Sequence, residues 1–198
     1  MHFCNQCGVL WGTTLSVFTL KVALNRSAYD RSVSIHIRTA EPRDFNALES
    51  VENESDTVLV ERLLPELWEP APHGSIRFEQ DGFVLVAEVS PTTVIGFVHV
   101  VESRGIAHLE QLSVTPEHSR RGYGQLLVTA AKDEAQRSGY ERITLRTFAD
   151  VPWNAPFYAK LGFVEEEPNT KFHKDLVAAE FRIGLNTYGR RVQMALEF

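Results

Sequence analysis

The chain has 198 residues, 43% hydrophobic and 23% charged, with 20 Lys and Arg against 26 Asp and Glu. At roughly 150 residues per domain that length fits one core with an appendage, and the composition excludes a wholly disordered, collagenous or multi-span membrane chain. A net charge of −6 argues against a surface that coats nucleic-acid phosphates and suits a cationic small molecule or a basic peptide.

Residues 1 to 34 read as an extension to the main body. Cys4 and Cys7 are the only cysteines, so the body holds neither a disulfide nor a cysteine nucleophile, which fits a reducing, cytoplasmic setting. The pair supplies half the ligands of a zinc ribbon, and no metal site is expected. The stretch GVLWGTTLSVFTLKVAL, residues 8 to 24, is interrupted by Ser16, Lys21 and several threonines. It is too short and too polar to span a bilayer, and residues 1 to 7 carry none of the basic residues that open a secretory signal.

From Ile35 the texture becomes β-type runs alternating with helical patterns. SIHIRTA alternates as a strand; Glu41-Pro42 then puts a proline in a first helical turn, with Phe45, Leu48 and Val51 recurring at three-residue spacing. TVLVERLLPELW, 57 to 68, reads as a second helical segment bent or ended near Pro65, and PAPHGS, 70 to 75, as a loop. FVLVAEV (83 to 89) and VIGFVHVV (94 to 101) flank the turn signal Ser90-Pro91-Thr92-Thr93 and read as a hairpin. AHLEQLSV (107 to 114) is the next strand. A helix follows from about Tyr123 to Ser138, with Leu126, Leu127, Ala130, Ala131 and Ala135 on one face. After Gly139, RITLRTF (142 to 148) is a strand, and a short helix covers about Asn154 to Leu161 up to Gly162. Phe163-Val164 starts another strand, KFHKDLVAAEFRIGL is helical in pattern, and RVQMALEF closes as a strand with Val192, Met194, Leu196 and Phe198 on one face.

The sharpest constellation is VTPEHSRRGYGQLL, residues 114 to 127: a strand, a turn, two arginines and two glycines, then an amphipathic helix. A helix's first turn has unpaired N–H groups at the positive end of its dipole, glycines let an anion approach the backbone, and Arg120 and Arg121 add charge. The segment reads as a pyrophosphate cradle. It is neither a Walker loop, which needs G-x-x-x-x-G-K-[ST], nor a dinucleotide fingerprint, whose third glycine is Leu127 here.

These residues resemble the signature of the GNAT superfamily of acetyl-CoA-dependent N-acetyltransferases, Q/R-x-x-G-x-G/A after a strand ending in Leu/Ile-x-Val. Here it reads Ser119-Arg120-Arg121-Gly122-Tyr123-Gly124 after Leu112-Ser113-Val114, with Ser119 in place of Gln or Arg. Downstream, Asn154-Ala155-Pro156-Phe157-Tyr158-Ala159-Lys160-Leu161-Gly162-Phe163 is similar to the family's F/L-Y-x-x-L-G-F segment. The resemblance covers residues 35 to 198. It implies an α/β (α+β) fold: one GNAT-like domain with a central mixed, mostly antiparallel sheet, helices on both faces and the order β-α-α-β-β-β-α-β-α-β-(α)-β. It further implies acetyl-CoA as co-substrate. Backbone groups of Leu112, Ser113 and Val114 would pair with the pantetheine amides. The N–H groups of Arg120, Arg121, Gly122, Tyr123, Gly124 and Gln125 would hold the pyrophosphate, and Asn154 would reach the cofactor.

Acetyl transfer to an amine needs a base for the amine, polarisation of the thioester and a proton for the departing thiolate, with no covalent enzyme intermediate. By the resemblance Tyr158 is the acid; a phenol with an ordinary pKa near ~10 is protonated at neutral pH. Glu110, just before the pantetheine-binding end of its strand, is the first candidate for the base, and His108 on the same strand face is the second. Arg146, Asp150 and Trp153 are expected on one edge of the acceptor pocket, and Trp68 and Glu69 on the other. The function expected is transfer of an acetyl group to a primary amine of a small molecule or peptide, in an enzyme with no nucleic-acid or membrane partner and room for a homodimer. The alternatives are a CoA-binding regulatory or interaction module without turnover and a plain nucleotide-phosphate binder.

Overall fold

Runs rich in Val, Ile, Leu and Phe pair into one seven-stranded sheet. A computed structural model describes residues 34–89 and 92–198. The expectations for residues 1 to 33, including Cys4, Cys7 and the 8 to 24 stretch, lie outside the described residues. The strands are β1 (Ile35–Thr39), β2 (Gly82–Val89), β3 (Thr93–Ser103), β4 (Ile106–Val114), β5 (Arg142–Phe148), β6 (Val164–Glu166) and β7 (Arg191–Glu197), in the sheet order β1-β2-β3-β4-β5-β7-β6. All neighbouring pairs are antiparallel except β4 with β5. A parallel pair needs a crossover of helical length; it is α2 (Tyr123–Arg137), and the remaining helices are α1 (Phe45–Leu63), α3 (Ala155–Lys160) and α4 (Lys171–Arg182).

Strand alternation sorts the core into two layers. Leu85 and Ala87 of β2 pack with Leu127, Val128, Ala131 and Ala135 of α2, while Val84 and Val86 pack with Leu48 and Val51 of α1 and with Phe97. Helices therefore cover both faces, as expected. The buried stripe of α2 is turned slightly from the expected one: Val128 is buried and Leu126 only half-buried. Close contact of α2 with the sheet depends on Gly96, where a Cβ would lie 2.8 Å from the Ser113 carbonyl oxygen and 3.2 Å from Leu127 Cδ1.

Residues 57 to 68 do not form a second helix. α1 runs unbroken to Leu63 and ends at Leu64, whose φ of 50° is left-handed. The reason is local, since the residue before a proline avoids the right-handed helical region and Pro65 follows. A short 3-10 turn, Gly74–Glu79, then leads into β2.

One irregularity shapes the site. In the β3–β4 ladder His99 faces Gln111 but Val100 faces Leu109, so Glu110 is an extra residue, a β-bulge. Leu109 and Leu112, three apart, consequently both point to the α2 layer. β4 pairs with β5 only over Ala107, His108 and Leu109. From Glu110 to Val114 the β5-facing edge of β4 has no strand partner among the described residues, and the two strands splay.

Candidate active site

The segment between β4 and α2 departs from ordinary helix entry. Arg120 (φ 57°) and Gly122 (φ 87°) are both left-handed, and Gly122 is the N-cap of α2. Glycine takes that conformation at no steric cost. The first N–H to reach a carbonyl is that of Leu126, on Gly122 at 3.0 Å. Among the described residues, the N–H groups of residues 120 to 125 have no acceptor and no side chain caps the helix. Six consecutive free donors at the positive end of a 15-residue helix, beside the exposed Arg120 and Arg121, make a cradle whose chemistry fits a pyrophosphate.

The cradle opens onto the splayed edge of β4. A Cβ on Gly124 would sit 3.7 Å from Phe157 Cζ, 3.9 Å from Leu112 Cδ2 and 4.0 Å from Val114 Cγ2, so the missing side chain keeps a slot between α2, β4 and α3. Leu112 and Val114 pack on the core, and Ser113 is buried with its Oγ accepting from Gln111 Nε2 at 2.9 Å. Only the backbone of these three residues is on offer, which suits pairing with the amides of an extended arm.

The N-cap of α3 is Asn154, whose carbonyl accepts from the N–H groups of Phe157 (2.8 Å) and Tyr158 (3.1 Å), while its side chain caps nothing. Tyr158 is 8% exposed and meets Phe157 and Phe163 edge to face, with centroids 5.1 and 5.7 Å apart. Its hydroxyl has no hydrogen-bond partner among the described residues. Burial pushes its pKa above the ordinary phenol value, against the opposing charge of Arg191, so the phenol keeps its proton at neutral pH.

Glu110 stands on the opposite face of the sheet from α2, with its side chain 44% exposed. Its Oε2 accepts from Arg77 Nη1 at 3.2 Å and from His99 Nδ1 at 3.2 Å; its Oε1 has no partner among the described residues. Burial would push the carboxyl up, but the His99 hydrogen bond and the Arg77 charge outweigh it and hold Glu110 below the usual carboxylate range. Behind it, Arg77 Nη2 binds Glu52 of α1, whose pKa is pushed up to about 7, chiefly by burial. Asp56, one turn on, is also raised by burial and accepts from Trp68 Nε1 at 2.9 Å. Arg77, His99 and Glu52 were not candidates in the sequence, since nothing local marks them.

His108 is 3% exposed and belongs to a buried relay. Gln193 donates to His173 Nδ1 (2.9 Å); His173 Nε2 lies 3.3 Å from Thr144 Oγ1, which donates to the Ala107 carbonyl (3.3 Å) and lies 2.8 Å from His108 Nδ1. Gln193 also donates to Glu166 at 2.6 Å, which fixes the orientation of its amide toward His173 Nδ1. Burial, with the nearby His173, drives the His108 pKa down to about 4, so of the two candidate bases only Glu110 is open. Arg146, expected at the pocket edge, turns away to Glu180 of α4 (2.7 Å) with 7% of its side chain exposed. Asp150 lines a cleft of about 190 Å³ with Arg62, Leu63 and Tyr188. Trp153 is 45% exposed, and Trp68 is committed to Asp56.

Residues 45–163 match the acetyltransferase (GNAT) family. The chain belongs to that family. Its members are acyltransferases that take the acetyl group from acetyl-CoA, the co-substrate implied by the signature at Gly122 and Gly124. An uncharacterized N-acetyltransferase of Methanocaldococcus jannaschii is 30% identical over 99 residues, covering 46% of this chain and 43% of that protein. The chain thus spans less than half of that relative. The fold is similar to that of PaiA N-acetyltransferase from Thermoplasma acidophilum, solved in complex with coenzyme A (TM-score 0.58, 20% identity, 83% of this chain and 99% of that one). It is also similar to the ribosomal-protein alanine N-acetyltransferase from Escherichia coli (TM-score 0.57, 20% identity, 82% and 93%). Among the described residues, no helix is long and apolar enough to cross a membrane.

Proposed function

We propose that the protein moves the acetyl group of acetyl-CoA onto a primary amine of a small molecule or peptide, by direct attack of the amine. The observation that carries this reading is the junction of two open backbone features: six free N–H groups at residues 120 to 125 and the unpaired edge of β4 from Glu110 to Val114. A pyrophosphate joined to an extended, amide-bearing arm matches both at once. Bound acetyl-CoA supplies the acetyl thioester. The backbone of Leu112, Ser113 and Val114 orients the arm, and the amides of Arg120, Arg121, Gly122, Tyr123, Gly124 and Gln125 hold the pyrophosphate, with Asn154 alongside. Glu110, anionic at neutral pH, attracts a cationic amine and takes its proton at Oε1, directly or through water. Tyr158 holds its proton for the departing sulfur. A cysteine-free body fits action in the reducing cytoplasm.

The test is thiol release from acetyl-CoA over a panel of polyamines, aminoglycosides, amino acids and peptide amino termini. Amine-dependent release, abolished or strongly reduced in Glu110→Gln, is the expected result. Tight acetyl-CoA binding without release on any amine would assign the fold to a CoA-binding module instead.

A further inference from the structure

We propose that Arg77 is a positioning residue for acetyl transfer: tied to Glu52 of α1, its guanidinium holds Oε2 of Glu110 so that Oε1 is the oxygen presented to the acceptor. The inference rests on Glu110 being the base, and it concerns what makes that carboxylate fit for the task.

Arg77 is 6% exposed and comes from the 3-10 turn between α1 and β2. The turn is locked onto α1. A Cβ on Gly74 would lie 2.4 Å from the Phe45 carbonyl oxygen, and the Phe78 ring meets the Phe45 ring edge-on at 4.8 Å. The guanidinium carbon lies 5.0 Å from the centroid of the Phe97 ring, which fixes its plane. From that plane one nitrogen reaches Glu52 and the other Glu110.

One observation separates this from an ordinary structural ion pair. The two ends of the bridge differ: Glu52 is buried at 8%, whereas Glu110 lies at the bulge where β4 leaves β5, 44% exposed at its side chain and with one oxygen unpartnered.

The groups facing Glu110 from each packed element are His99 of β3, His108 of β4 and Arg77, with Glu52 and Asp56 of α1 behind Arg77. Among the described residues, Arg77 is the lone guanidinium or ammonium facing Glu110, Glu52 and Asp56. Without it Glu110 keeps the His99 hydrogen bond but loses the Arg77 charge and the second contact on Oε2, and with them part of its anionic population.

The experiment follows the Glu110 carboxyl by carbon NMR in protein carrying labelled glutamate, with Glu110→Gln assigning the signal, and measures the pH dependence of kcat/KM on the same samples. Arg77→Met strands Glu52, so the double variant Arg77→Met with Glu52→Gln accompanies it as the folded, charge-matched partner. The expected result is an upward move of the Glu110 midpoint by about one pH unit. The acidic limb of kcat/KM should follow it, the rate plateau should fall, and KM for acetyl-CoA should stay unchanged. Arg77→Lys should restore most of the midpoint but not the plateau, because an ammonium cannot reproduce the planar fork. A wild-type midpoint in the folded double variant overturns the hold of Arg77 on Glu110, whatever Glu110→Gln does to the rate. A shifted midpoint with an unmoved limb overturns the positioning role by a different route, since it shows that Glu110 is not the base.

Discussion

Replacing Tyr158 by Phe separates chemistry from packing because of where this hydroxyl lies. The ring is buried at 8% exposure, and its edge-to-face contacts with Phe157 and Phe163, at 5.1 and 5.7 Å, survive the change. The hydroxyl has no partner among the described residues, so the change removes no protein hydrogen bond. Stability should stay within about 0.5 kcal/mol of wild type. If the hydroxyl supplies the proton for the departing sulfur, its loss should lower kcat by ~10² to 10⁴-fold, about 2.7 to 5.4 kcal/mol in the barrier. The barrier should therefore rise at least five times more than folding stability falls. Burial holds the phenol pKa above its ordinary value, so no rate loss below pH ~10 should trace to ionisation of this group. The assay is thiol release at saturating acetyl-CoA and amine, with thermal melts and calorimetric acetyl-CoA affinity on the same protein. A kcat within threefold of wild type would refute the acid assignment and leave Tyr158 as a core aromatic.

Gly122→Ala adds a methyl that meets nothing within 4 Å, at φ +87°; its cost is conformational, about 1–2 kcal/mol, and calorimetry should show acetyl-CoA affinity reduced by about tenfold as the free amides reorient. Gly124→Ala should be tolerated, because the added carbon lands at ordinary contact distances from Phe157, Leu112 and Val114; Gly124→Val should close the slot and weaken acetyl-CoA binding with little change in Tm. His108 has its pKa lowered from 6.5 to about 4, so the unfolded chain binds the extra proton between those values. The stability linked to it is complete above pH 6.5 and lost as pH falls toward 4, about 3 kcal/mol in all. Glu52, pushed up to about 7, acts in the opposite sense, so urea denaturation should compare wild type with His108→Gln, whose stability should fall less on acidification.

The strands, the hairpin and the helix after the two glycines were legible because each rests on a local signal: β-branched runs, a turn, or apolar residues at helical spacing. The cradle was legible for the same reason, since its donors belong to six consecutive residues. The β4 bulge was not. One extra residue at Glu110 leaves no mark in AHLEQLSV, yet the pairing with β5 stops just before it and the carboxylate meets Arg77 and His99. Arg77 was equally silent, because its partners lie 25 residues before it and 33 after it, and only the folded sheet brings them together. The expected second helix at 57 to 68 failed through chain geometry at Leu64 and Pro65, where apolar spacing persists but the backbone cannot. Arg146 looked like a pocket-edge residue from its position at the end of β5; burial by α4 and its pairing with Glu180 gave it a packing role.

The most direct measurement is a mass-resolved turnover assay: acetyl-CoA, the purified chain and each amine of the panel, followed at once for free thiol and for acetylated amine. Stoichiometric appearance of the two products with at least one primary amine, and their joint loss in Glu110→Gln and Tyr158→Phe, is the outcome this account predicts. Thiol release without an acetylated amine, or acetylated amine at wild-type rate in both variants, would contradict it.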